Sequence, residues 1–132
     1  MEFASENNPH KLNYVTKNYI DGMPLMMKLS ISGKVQKHQG SYGGTYFLQE
    51  DKTNDRYYWI HQSGEKAIWW DTSSKPYCWI IGKFEDLGNY MFGIAGIRGP
   101  LTYDSPPNQI TNGWMYFVNT YWQSTNRVCE AI

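Results

Sequence analysis

His61, Ser63 and Asp71 are the residues of this chain that could be drawn together as a nucleophilic site. Such a site needs a hydroxyl or thiol beside a base that an acid orients. His61 and Asp71 fall on adjacent predicted strands with Ser63 in the turn between them, but no Gly-x-Ser-x-Gly elbow accompanies them, and His61 reads as a strand end facing solvent. Metal chemistry is no better served. Cys78 and Cys129 are widely separated, and no histidine stands at ligand spacing from either. Carboxylates for glycoside hydrolysis could come from Glu50, Asp51, Asp55, Asp71, Glu85 or Asp86. Each sits in or at the edge of a predicted turn, where acidic residues are expected anyway, and nothing selects a pair. Gly40-x-x-Gly43-Gly44 lacks the Lys-Ser/Thr of a phosphate-cradling loop. The chain reads as non-catalytic, with no metal and no cofactor.

The aromatic residues carry more. They make up 17% of the chain against 18% charged, an unusual supply of flat, stackable surface. Sugar rings present C–H faces that stack on Trp and Tyr, and neighbouring Asn, Asp or Arg can then read the hydroxyls. Four of the six tryptophans lie between Tyr57 and Gly82. Strand alternation puts Tyr57, Trp59 and His61 on one face and Tyr58, Ile60 and Gln62 on the other. On the next strand Ile68 and Trp70 share a face, and Trp69 goes with Ala67 and Asp71. One indole of the Trp69-Trp70 pair must therefore point away from the face that holds the other. Charged Asp71 marks Trp69 as the exposed one. The candidate ligand-binding set is Asn54, Arg56, Trp59, Trp69, Asp71 and Tyr103, with Tyr42 and Tyr121 as further exposed tyrosines. About two-thirds of the tryptophans are expected in the core. Trp79, among Cys78, Ile80 and Ile81, belongs there, and Trp114 and Trp122 can pair across a hairpin.

These residues need strands to hold them. The chain of 132 residues fits one self-sufficient domain. No apolar 3.6-residue period persists for three turns, whereas short alternating runs are separated by Gly, Pro, Asn and Asp. The expected strands are Leu25–Ile31, Thr45–Gln49, Tyr57–Gln62, Ala67–Asp71, Tyr77–Ile81, Tyr90–Ala95 and Gly113–Val118. A last one, Tyr121–Ile132, has a break near Gln123–Asn126. Residues 51–55 read as a connection, 62–65 and 72–75 as tight turns, and 98–112 as a long loop stiffened by proline. The fold class is all-β: a single antiparallel barrel or sandwich of about seven to eight strands over 23–132, with an irregular N-terminal arm over 1–22.

Composition bounds the partners. Twelve Lys plus Arg balance twelve Asp plus Glu, so no clustered basic surface points to nucleic acid. No apolar run approaches the ~20 residues of a membrane span. The first residues lack the basic and apolar segments of a secretory signal, there is no N-x-Ser/Thr sequon, and the compartment is left open. The apolar settings of Cys78 and Cys129 favour buried thiols over a bridge.

Gly44-Thr45-Tyr46, Asn54-Asp55-Arg56 with Tyr58, Ile68-Trp69-Trp70, Trp79-Ile80-Ile81-Gly82, Pro106, Trp114 and Trp122 form a pattern. It resembles a small aromatic-rich β module that recurs, sometimes in tandem, in multidomain proteins. The resemblance covers about residues 42–132 and implies a self-contained module, with no functional residue carried over. The expected function is lectin-like carbohydrate recognition through exposed aromatics near the 54–71 hairpin and the 98–112 loop. The alternative is a protein-interaction or structural module whose aromatics pack against a partner, a tandem copy or a homo-oligomer.

Overall fold

Bulky residues alternating between turn formers give strands, and eleven are present in the computed structural model, which describes residues 19–30, 40–73, 75–89, 96–118 and 121–132. They are β1 (Tyr19–Ile20), β2 (Met23–Pro24), β3 (Met26–Leu29), β4 (Gly44–Thr53), β5 (Arg56–His61) and β6 (Lys66–Asp71). β7 (Cys78–Lys83), β8 (Ile97–Arg98), β9 (Asn112–Val118), β10 (Tyr121–Asn126) and β11 (Cys129–Ala131) follow. The protein is all-β. β1 and β2 form a small hairpin, and the other nine strands make one curled antiparallel sheet in the order β10-β9-β8-β7-β6-β5-β4-β3-β11.

The two edge strands of that order are one run of chain. β10 ends at Asn126 and β11 begins at Cys129, so only Arg127 and Val128 separate them. Two residues between them bring those strand ends to within ~11 Å, because successive Cα atoms are 3.80 Å apart. Eight antiparallel pairings separate the edges, an even number, so β10 and β11 point the same way. The run pairs first with β9, bends, then pairs with β3, and the ladder begins and ends on it. The Val128 carbonyl accepts from Ser30 N–H at 2.9 Å, extending the β11–β3 pairing into the bend. The break expected in the last strand falls at Arg127-Val128, with a register irregularity between Thr125 and Asn126.

Turn chemistry follows residue type. Asp21-Gly22 and Asn54-Asp55 each have φ positive at both positions, the geometry that two-residue hairpins favour and that Asn, Asp and Gly tolerate. The Asp21-Gly22 turn lies inside the β1–β2 hairpin, across the expected limit between arm and body. The connection expected over 51–55 is shorter: Asp51, Lys52 and Thr53 extend β4, and an irregularity between Leu48 and Lys52 absorbs the extra residues. The strand expected at Tyr90–Ala95 lies outside the described residues, as do residues 1–18.

One face of the sheet encloses the main core, which contains Met27, Leu29, Tyr46, Leu48, Trp59, Ile68, Trp70, Trp79, Ile81, Ile97, Trp114 and Tyr116. The opposite face carries a second buried cluster of Tyr58, Ala67, Trp69, Cys78 and Ile80, with Ile60, Leu87 and Trp122 packed against it. Strands β5 to β7 are thus buried on both faces, which explains why β6 and β7 read as nearly continuous apolar runs.

Both cysteines are free and buried. Burial pushes the Cys78 thiol from its ordinary 9.0 up to about 12, with nearby Arg98 opposing. Cys129 is likewise raised by burial. A raised folded-state value favours the neutral thiol, so the stabilisation is complete below the unfolded thiol's pKa and is lost as pH rises towards 12. Stability measured by urea titration should fall from about pH 9 upward, by about 1.4 kcal/mol per pH unit per thiol ionising only in the unfolded chain. A flat profile between pH 9 and 11 would contradict this.

Candidate functional site

The indoles of the core do more than fill it: their N–H groups, which must find partners when buried, reach out to the loops. Trp59 donates to the Pro24 carbonyl at 2.8 Å and so holds the β1–β2 hairpin. Trp79 donates to Ser105 O at 2.7 Å and Trp114 to Ile110 O at 3.1 Å, which pins the 99–111 loop at two points. The sequence signal for this was available in the pairing of buried tryptophan with a long proline-rich loop, but no spacing rule names the carbonyl.

Several of these loops meet at one end of the sheet. Arg56, beside the Asn54-Asp55 turn, stacks its guanidinium 4.5 Å from the centre of the Trp70 ring. The same group pairs with Asp104 of the long loop, at 3.2 Å to Oδ2 and 3.3 Å to its carbonyl. Trp70 meets Tyr77 edge to face at 6.4 Å, and Tyr77 O accepts from Thr102 N–H at 2.7 Å. Tyr57, next to Arg56, carries Lys52 over its ring at 4.7 Å and hydrogen bonds to Asp21 at 3.4 Å. The Tyr57 hydroxyl is raised by burial and by Asp21, so it stays a neutral donor. The Arg56–Asp104 pair is exposed on the Asp104 side and contributes on the order of 1 kcal/mol at most. Its value is in positioning, because it ties the 54–55 turn to the long loop.

Three open hollows lie along this rim. One of about 320 Å³ is lined by Asp21, Lys52, Asp55, Arg56 and Tyr57 together with Met23. A second, about 450 Å³, is lined by Lys75, Pro76, Tyr77 and Thr102. A third, about 460 Å³, continues past Thr102 along Leu101, Tyr103 and Asn112. Thr102 therefore stands between two hollows, and it does so with φ +63° in the turn that Tyr103 N–H closes onto Pro100 O. That conformation suits glycine and strains a β-branched residue. Thr102→Gly should relieve ~1–2 kcal/mol of strain against ~0.5–1 kcal/mol of added backbone entropy. A modestly higher urea midpoint is expected; a lower one would mean that the threonine side chain stabilises the turn by more than its backbone is strained.

The candidate residues divide sharply. Arg56 and Tyr103, the latter 47% exposed, lie on the rim. Asn54 is beside them, but its amide is occupied by the Trp70 carbonyl at 2.9 Å. Trp59, Trp69 and Asp71 are buried. The expectation that Trp69 is exposed is corrected: its ring is fully enclosed and its N–H donates to Asp71 Oδ1 at 3.0 Å. Asp71 is held further by the Ser73 N–H and hydroxyl, so its charge marks a buried network rather than a wet face. Trp70, Trp79 and Trp114 are buried too, and Trp122 is half-buried, so no described tryptophan is an exposed platform. Tyr42, expected outside, is also core. Trp114 and Trp122 do not pair: Trp114 faces Thr125 and the main core, and Trp122 faces Phe117 on the other side. Tyr57 and Tyr77 are the rim residues that sequence reasoning passed over as site residues. Both are polar-tipped aromatics next to turns, which was the available signal.

The hydrolytic arrangement is not assembled. His61 is half-buried, with Nε2 2.8 Å from the Gly43 carbonyl and Nδ1 against the Ser63 N–H and hydroxyl. It is a turn staple rather than a solvent-facing base. Gly44, at φ +130°, makes room for it, since a Cβ there would fall 2.6 Å from Nε2. Asp71 lies at the opposite end of β6, engaged with Trp69 and Ser73. Among the described residues no group of three His, Cys, Asp or Glu could hold a metal, and no helix is long and apolar enough to cross a membrane.

Fold and rim together define a class, a curled antiparallel β domain with an aromatic rim at one end. No protein family, curated protein or solved structure matches the chain.

Proposed function

We propose that the protein is a non-catalytic carbohydrate-binding module whose site is the rim around Arg56, Tyr57, Tyr77 and Tyr103. One observation carries the reading: exposed Tyr103 and half-buried Tyr57 and Tyr77 stand beside hydrogen-bonding side chains on loops that buried indoles hold in place. Sugar recognition needs that pairing of flat apolar surface with fixed polar groups. Pre-held loops also reduce the ordering cost of binding. The contact residues differ from those expected of the sequence, because the tryptophans act as supports and the tyrosines provide the surface.

A glycan array with the wild-type protein and Tyr77→Ala tests this. Selective binding is expected for the wild type. Tyr77→Ala should weaken it about tenfold, as loss of one aromatic contact implies, with the fold intact by circular dichroism. A silent array across neutral and acidic glycans would sink the proposal.

A second reading, contact with a protein partner, is favoured by one feature elsewhere. Phe47, 42% exposed, lies in register between Met26 and Ile60 on the face opposite the main core. If this row is an interface, the protein should sediment above its monomer mass of 15.4 kDa, and Phe47→Ser should restore the monomer.

A further inference from the structure

We infer, resting on the carbohydrate reading above, that the rim takes a neutral, linear oligosaccharide of at least three units, and not a single sugar. The three hollows share one feature. Each contains one tyrosine, Tyr57, Tyr77 or Tyr103; several hydrogen-bonding side chains stand beside it in the first and third, and only Lys75 and Thr102 in the more apolar second. They are linked in order by specific contacts. Arg56 lines the first hollow and stacks on the buried ring of Trp70, which touches Tyr77 of the second. Thr102 lines both the second and the third. Tyr77 is therefore the middle platform of a row, and a ligand reaching from Tyr57 to Tyr103 must pass it.

The charge of the row argues for a neutral chain. Lys52, Arg56 and Lys75 give three positive charges, and Asp21, Asp55 and Asp104 give three negative ones, a net of zero. Arg56, the group best shaped for a carboxylate or sulfate, already holds Asp104. A uronate or sulfated sugar would have to displace that partner and meet two further carboxylates in the first hollow. Hydroxyl-rich neutral sugars face no such competition, since Asp and Asn accept from or donate to hydroxyls without a change of charge.

The test is calorimetric titration with cello- and chito-oligosaccharides of one to six units, and with the ladder of any linkage the array selects, beside a sulfated and a uronic ladder of equal length. Affinity is expected to rise at least about tenfold from one unit to three, as each added ring gains a tyrosine contact, then level off. It should be nearly unchanged between 50 and 500 mM salt. Tyr77→Ala should flatten the rise. Tyr103→Ala, at a side chain whose exposure keeps folding out of question, should remove only the last step. Equal affinity for one and three units, or a preference for the acidic ladders that fades with salt, overturns this inference while leaving sugar binding intact. No binding to any ladder overturns both.

Discussion

Trp69→Ala is expected to unfold the protein or leave it barely folded. The indole is fully buried in the cluster with Tyr58, Ala67, Cys78 and Ile80. It packs closely enough on Gly82 that a Cβ there would stand 3.2 Å from the ring. Deleting a buried indole costs ~3–5 kcal/mol in transfer and cavity terms. The truncation also strips Asp71 of the N–H donor at 3.0 Å, and a buried carboxylate that loses a partner adds ~1–3 kcal/mol. Against a typical total of ~5–15 kcal/mol the sum removes most of the stability. Trp69→Phe retains most of the volume and should lose less. Thermal melting followed by near-ultraviolet circular dichroism separates these cases. A Trp69→Ala protein that melts like wild type would show that the second cluster is not a core.

Trp79→Ala has the second largest expected effect, and for a reason that joins the core to the rim. Its ring lies between Trp59, at 5.8 Å, and Trp70, at 5.5 Å, both edge to face. Its N–H holds Ser105. Alanine should cost ~3–5 kcal/mol. Trp79→Phe is the informative companion, since it keeps an aromatic ring but releases the Ser105 carbonyl, at ~1–3 kcal/mol. Amides of the 99–111 loop should then exchange faster, while those of β5 and β6 hardly change. If Trp79→Phe leaves loop exchange untouched, the loop is held by other contacts and the indole anchor is not what shapes the rim.

Much of this architecture was legible in the residues. Period-two alternation identified β5, β6 and β7 and assigned Trp69 and Trp70 to opposite faces correctly. Gln62-Ser63-Gly64-Glu65 announced its turn, and the break in the last strand was placed within a few residues of the bend at Arg127-Val128. The 54–71 hairpin and the 98–112 loop were both named from the sequence, but the Arg56–Asp104 pair that ties them together was not.

What the sequence could not decide is which faces are covered. Alternation separates two faces of a strand but carries no information on what packs against each. Asp71 suggested water beside Trp69, because a lone carboxylate is rarely buried. In the fold its charge is met by Trp69, Ser73 N–H and the Ser73 hydroxyl, and that satisfaction depends on local geometry no composition reports. The same holds for Trp114 and Trp122, whose register sets them on opposite sides of the sheet. Local propensity and turn chemistry are short-range, so the chain itself determined the strands. Burial and hydrogen-bond partnership arise from contacts tens of residues apart, so only the tertiary structure could make the tryptophans supports and leave the tyrosines on the rim.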